Sequence, residues 1–426
     1  MTPITREDIE RLRRRIERVE GGRLEPNPVR PRPVEPEDVD LLPVRYDADR
    51  ALDGRQIENG HGRCFVSERL YGPEKLHGSY EVSRLAELRG EWLAPLTAGE
   101  APPVGPERWA FLDTETTGLA GGVGTCAFLV GVGSIEPDCF RVRLFFMRDY
   151  DEEAAMLEAL SDHLARFDVL VTYNGKSYDS PLLETRYRLR RLANPLDRLG
   201  HLDLLHGARS LFKLRLESCR LMRLENELLG VERHGDLPGE LIPYYYFEYL
   251  RTKQAFKLVP LFHHNTIDIL SLACLTAYVL PAFAAPDEAP LRYGADLLGL
   301  ARWLRRSGDR ETAVRLYRRA IEAGMADAEL FAALWETALL EKREGRREQM
   351  LALLHDLADA RNAFQARACE ELAKHHERIA KDFAAALRFT DQALALEPTE
   401  ALTKRRERLV RRLARRPKKA ALLPAF

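Results

Sequence analysis

The sequence predicts an α/β domain, a mixed sheet flanked by helices, followed by an all-α domain of helical repeats. Three observations predict it. Between residues 107 and 286, short apolar runs bounded by glycine or Pro-Asp alternate with stretches of helical periodicity. Between 287 and 403 the strand-like runs disappear, and small residues recur at the spacing of paired helices. Ahead of both lies a proline-rich segment, 25–37, which neither helix nor sheet tolerates.

Residues 1–37 combine a charged helical pattern at 5–20 with the extended linker EPNPVRPRPVEPE. Residues 38–106, short apolar pieces between glycines such as GRCFVSERLYG, make a small β-containing lead-in. In 107–286, WAFLD (109–113) predicts a strand buried on both faces. CAFLVGVGSI (126–135) and FRVRLFFM (140–147) predict two more, joined by tight turns. Asp151 to Phe167 carries a helical stripe of Ala155, Leu157, Leu160 and Leu164. DVLVTYNG (168–175) predicts a strand, Asp179 to Leu192 a helix, and HLDLLHGAR (201–209) a further short strand. Three strands, helix, strand, helix, strand, then helices is the order of an RNase H-like fold.

In 287–403, Ala301, Leu304, Gly308, Ala313, Tyr317 and Ala320 stand at helix-turn-helix spacing. A second unit runs through Ala338, Gly345 and Leu354, and a third closes at Pro398. The spacing is near the ~34-residue tetratricopeptide period. Residues 404–426 read as a basic tail.

The chain has 426 residues and a mass of 48.6 kDa, more than one ordinary domain. With 45% hydrophobic and 31% charged residues it is neither disordered nor fibrous. Its 65 Lys and Arg nearly cancel 66 Asp and Glu, so any basic footprint for a polyanion is local. Six scattered cysteines without a CxxC pair predict reduced thiols. The charged N-terminus lacks the apolar centre of a signal peptide. The apolar stretch Leu270 to Ala285 is interrupted by Pro281 and is shorter than the ~20 residues of a membrane span. The expectation is a soluble cytoplasmic protein without membrane partners.

The chemistry concentrates in FLDTETTG (111–118). Asp113 ends an apolar strand and Glu115 lies two residues on, so both point to one face. Paired carboxylates beside an apolar strand repel each other and lose hydration, and divalent cations relieve this. Two more acids follow: Asp179 in YNGKSYDSPLL, at a helix start, and Asp268 in HHNTIDILSL, inside an apolar helical pattern. Hard oxygen ligands suit Mg²⁺ or Mn²⁺, and four carboxylates can hold two such ions about a phosphodiester. His263 and His264 stand just upstream of Asp268, and either suits a general base.

In this order Asp113, Glu115, Asp179 and Asp268 resemble the four acids of the DEDD exonuclease superfamily. GRCFVSERLYG, DTETTGLAGGVGTCAFLVG, VTYNGKSYDSPLL and LLGVERHGDLPGELIPYYYFEYL resemble the YprB-type family of RNase H-like proteins over roughly residues 55–400. The resemblance implies a metal-dependent 3′–5′ exonuclease with Asp113 bridging two divalent ions. Glu115 and Asp268 would lie nearer the nucleophile, and Asp179 on the leaving-group side. It favours DNA over RNA as substrate, a place in DNA repair, and a protein partner such as a helicase on the repeats. One superfamily branch places its histidine five residues before the last acid, which selects His263. The aromatic-Asn pair expected in the YprB-type family selects His264, as does the four-residue helical spacing to Asp268. Asn265 stands where a helix cap would leave both outside the helix.

Asn174, Thr116 and Lys176 are candidate substrate contacts, and Asp203 a supporting acid. Asp236 and Gly239 form a turn without a derivable role, and the aromatic run 243–250 reads as a core helix. Residues 186–223 hold ten Lys or Arg against three Asp or Glu, and 404–419 hold ten against one. Both are candidate polyanion surfaces or solvated helix faces. The alternative to an enzyme is an inactive nuclease-fold scaffold whose repeats bind a protein.

Overall fold

The computed structural model describes residues 47–118, 124–233 and 235–414. The expected N-terminal helix, the proline-rich linker and the end of the basic run lie outside these residues.

Seven strands form one sheet: β1 (Gly54–Asn59), β2 (Gly62–Tyr71), β3 (Trp109–Thr116), β4 (Ala127–Ile135), β5 (Phe140–Phe146), β6 (Val169–Thr172) and β7 (Gly200–Asp203). Their order is β1-β2-β5-β4-β3-β6-β7. The pairs from β1 across to β3 are antiparallel, and β6 and β7 join parallel. The mixed RNase H-like sheet expected from the element order is therefore present. The lead-in region supplies β1 and β2, which extend this same sheet alongside β5.

Helices cover both faces: α1 (Glu153–Leu164), α2 (Asp179–Arg190), α3 (Leu204–Phe212), α4 (Ile242–Thr252) and α5 (Val259–Ala284). Neighbouring residues of β5 show the two layers, because side chains alternate along a strand. Phe145 meets His163 of α1, whereas Phe146 meets Tyr246 and Tyr249 of α4 and Phe262 of α5. The aromatic run is thus a core helix, with Tyr246 stacked on Phe128 at 3.9 Å. The stretch 201–209 is a strand only to Asp203. There the carboxylate accepts the Leu205 N–H at 3.1 Å and starts α3, an N-cap that ends the strand.

Helix α5 runs 26 residues and already contains His263, His264 and Asn265, so Asn265 is no cap. By length and composition it could cross a membrane, yet 72% of its most apolar window is buried in the fold. It lies close on the sheet because β4 offers glycines there. A Cβ on Gly131 would stand 2.0 Å from Asn265 Oδ1.

The C-terminal region is all helical: α6 (Gly294–Ser307), α7 (Arg310–Ala323), α8 (Asp327–Arg343), α9 (Arg347–Asp359), α10 (Gln365–His375), α11 (Phe383–Leu396) and α12 (Glu400–Ala414). Short junctions pair them. A left-handed residue ends one helix and an Asp caps the next at Gly308-Asp309 and Lys381-Asp382. The basic run expected as a tail begins inside α12, where Arg405 and Arg408 pair with Glu377. Helix α6 packs on α3, and one apolar core runs from Leu52 to Leu340. A second core lies among α8 to α12.

Candidate active site

Asp113 and Glu115 sit at the carboxyl-terminal end of β3, opposite Gly131 and Leu129 of β4. Their strand turns at Thr117, whose hydroxyl accepts the Cys126 N–H at 3.0 Å. From α5, the buried Asn265 donates to Asp113 Oδ2 at 2.8 Å. Asp179 is the first residue of α2 and is buried; the Thr114 hydroxyl donates to it at 2.5 Å. Asp268 reaches the same place from α5. Four acids from three elements therefore converge.

One turn before Asp268, His264 is buried and faces the acids. Its Nε2 lies 3.4 Å from Asp268 Oδ2, and its ligand atom falls within 4.8 Å of those of Glu115 and Asp268. Its Nδ1 is 2.8 Å from Asp236 Oδ2. An ionised carboxylate can only accept, so Nδ1 carries a proton, and in the neutral ring Nε2 presents a lone pair to the site. His263, 100° around the helix, is exposed. It lines a separate pocket with Arg69, Tyr71 and Leu144, away from the acids.

Arg233 completes the arrangement. It donates to Asp268, to Asp236 at 3.1 Å, and through two nitrogens to the buried Glu225. Ser271 also donates to Glu225 and lies 2.8 Å from His77. Sequence reasoning missed Arg233 and Glu225, and gave Asp236 no role. Asp236 proves to be the residue that orients His264.

The other candidates surround this centre. Thr116 follows Glu115 and turns its hydroxyl to the Gly118 carbonyl at 2.9 Å. Asn174 adopts a left-handed conformation (φ 67°), in a turn that Asp203 fixes. Asp203 accepts the N–H groups of Asn174 at 2.8 Å and Lys176 at 3.2 Å. Lys176 is exposed and lines a neighbouring pocket with Ser180 and His201.

Burial and the charges of Asp268, Glu115 and Asp179 push Asp113 well above the usual carboxylate range, against the opposing pull of Arg233. Burial, Asp268 and Asp179 do the same to Glu115. Burial lifts Asp179 to about 6, although the Thr114 hydroxyl works the other way. Burial also opposes the charge of Asp236, but His264 and Arg233 hold its carboxyl below the usual range. Such a cluster seeks positive charge, and its hard oxygen donors suit a divalent ion. The Asn265 Oδ1, buried without a partner, adds one more oxygen beside Asp113. The residues present fit a divalent metal: Asp113, Glu115, Asp179 and Asp268 would hold it.

Residues 110–280 match the model of the RNase H superfamily. Over 338 residues the chain is 32% identical to the uncharacterized protein YprB of Bacillus subtilis (strain 168), covering 78% of this chain and 80% of the relative. With that identity over most of both lengths, the chain belongs to the YprB family and carries an RNase H superfamily domain.

Proposed function

We propose that this protein is a 3′–5′ exonuclease of the DEDD type, acting on DNA with two divalent ions, Mg²⁺ or Mn²⁺. The observation that carries the reading is the convergence of Asp113, Glu115, Asp179 and Asp268, with His264 beside Glu115 and Asp268. Divalent ions bound there would offset the charge of the transferring phosphate and favour ionisation of the attacking water. The chain's own groups supply the rest. Asp236 fixes the His264 tautomer, and His264 Nε2 takes the proton of the attacking water. Asp203 holds the Asn174 turn at the edge of the site, where the scissile strand would lie. The helix pairs of the C-terminal region, read as tetratricopeptide-like repeats, would hold a protein partner, with a helicase in DNA repair as the candidate.

The test is degradation of single-stranded and duplex DNA and of RNA, labelled at either end, with Mg²⁺, with Mn²⁺ and with chelator. Mononucleotide release from the 3′ end, dependent on metal and abolished in Asp113→Asn, is the expected result. Metal-loaded protein that cleaves none of these substrates would overturn the reading.

A further inference from the structure

Ten Lys and Arg lie between residues 186 and 223, and the fold treats them unequally. Arg186 and Arg190 pair with Glu153, Arg188 with Glu184, Arg215 with Asp296 and Arg223 with Glu227. Arg198 donates to the carbonyls of Leu164 and Phe167. Arg191, the residue after α2, is exposed and has no such partner among the described residues. Arg209, Lys213 and Arg220 are likewise exposed, and their side chains have no acidic or hydrogen-bonding partner among the described residues.

These three cations share a place. Helix α3 buries Leu204, Leu205, Ala208 and Leu211, which leaves Arg209 and Lys213 one turn apart on its outer side. The helix starts at Asp203, the residue that fixes the Asn174 turn. Arg209 acts electrostatically on Tyr173, immediately before that turn, and on Cys219. Lys213 also acts on Cys219, whose carbonyl accepts the Tyr173 hydroxyl. Arg220 follows Cys219 directly. A cationic stripe therefore runs from beside the Asn174 turn along the outer side of α3 to Arg220, past its end.

Unpaired cations on a surface where most others are paired lack an internal reason for their position. A polyanion supplies one, because each phosphate neutralised releases a condensed counterion. We propose that Arg209, Lys213 and Arg220 form a phosphate track that holds the polynucleotide strand leading into the acidic site. This rests on the nuclease reading and adds where the strand lies. Contacts of this kind position a backbone without reading its sequence.

The test is binding of a fluorescent 20-nucleotide oligo(dT), and of the matching oligo(U), to full-length protein carrying Asp113→Asn, titrated across a range of salt. Adding Arg209→Gln, Lys213→Gln and Arg220→Gln should weaken binding of both roughly 10- to 100-fold. It should also flatten the log–log salt slope by about 2, as expected for three lost contacts to a single strand. A charge-matched control, Arg343→Gln, Arg361→Gln and Arg367→Gln on the exposed helical region, should stay within about twofold of the parent. Equal weakening in both triple variants, unchanged affinity in the track variant, or no binding by the parent would overturn the track. The nuclease reading fails separately, if metal-loaded wild-type protein cleaves nothing while oligonucleotide binding still depends on the three cations.

Discussion

Asp236 Oδ2 stands 2.8 Å from Nδ1 of His264, while the opposite ring nitrogen faces Asp268. This pairing fixes which nitrogen can accept a proton, as second-layer carboxylates do for working imidazoles. His264→Ala should lower turnover ~10²–10⁴-fold. Asp236→Asn, which can present its amide N–H to Nδ1 and favour the wrong tautomer, should lower it by about 10–100-fold with little change in KM. His263→Ala, on the other side of α5, should stay within a few-fold. Turnover at saturating Mn²⁺ checks the ranking, and a larger defect in His263→Ala would reverse the assignment.

Carboxyl groups with raised pKa values destabilise the fold above the pH at which the unfolded chain ionises. For Asp179 that loss begins near its ordinary value of 3.8 and is complete above about 6. Buried neutral imidazoles act oppositely: His77 and His201, lowered to about 4 by burial, destabilise the fold as pH falls below 6.5. The wild-type pH profile therefore mixes two opposed effects, and a difference between variants isolates the acids. In chelator, Asp179→Asn should melt above wild type by a margin that grows from pH 4 to 6 and then levels, on the order of 2–3 kcal/mol. Added Mg²⁺ should remove the margin. A margin independent of pH would show that Asp179 does not carry this cost.

The residues legible in the sequence are those whose geometry is local. Asp113 and Glu115 were readable because an extended chain repeats every two residues, and His264 because a helix returns to one face after four. The alternative cap at Asn265 does not form, because the helix has already started at Val259, with Pro260 at its second position. Arg233 and Glu225 were invisible for another reason. Arg233 meets Asp268 from 35 residues away, on a segment without helical or strand periodicity. The placement of β2 beside β5 is likewise a long-range pairing that alternation alone does not specify.

Arg233 anchors that irregular segment by charge. Its removal would leave Glu225, fully buried, with Ser271 as its remaining side-chain donor among the described residues. An uncompensated buried charge costs about 3–5 kcal/mol, so Arg233→Met should lose stability of that order. Adding Glu225→Gln removes the orphaned charge and should restore more than ~1 kcal/mol. Urea denaturation of the two single variants and the double variant measures this. Strictly additive losses would mean that the pair does not act as a unit.

Helix α6, the first helix of the region expected from residue 287, shares its core with the sheet domain. Leu297, Leu298, Leu300, Ala301 and Leu304 of α6 belong to the core that also contains the sheet. Asp296 is bound by Arg215 at 3.0 Å, and a Cβ on Gly299 would meet the Ser210 carbonyl at 2.3 Å. Ending the chain at 291 would uncover the apolar surface of α3 and α5 and leave Arg215 without Asp296. Each leucine removed withdraws about 2–3 kcal/mol of burial, and four of them rival the whole 5–15 kcal/mol stability of a domain. The second core begins with Ala338 on α8, and α8 still contributes Ala333 and Leu340 to the first. A chain ending at Glu344 should therefore remain soluble and melt cooperatively, whereas one ending at Leu291 should aggregate or lose its cooperative transition. Circular dichroism melts and limited proteolysis of the two truncations decide the point: a cooperative melt in the shorter chain would show that α6 is dispensable to the sheet.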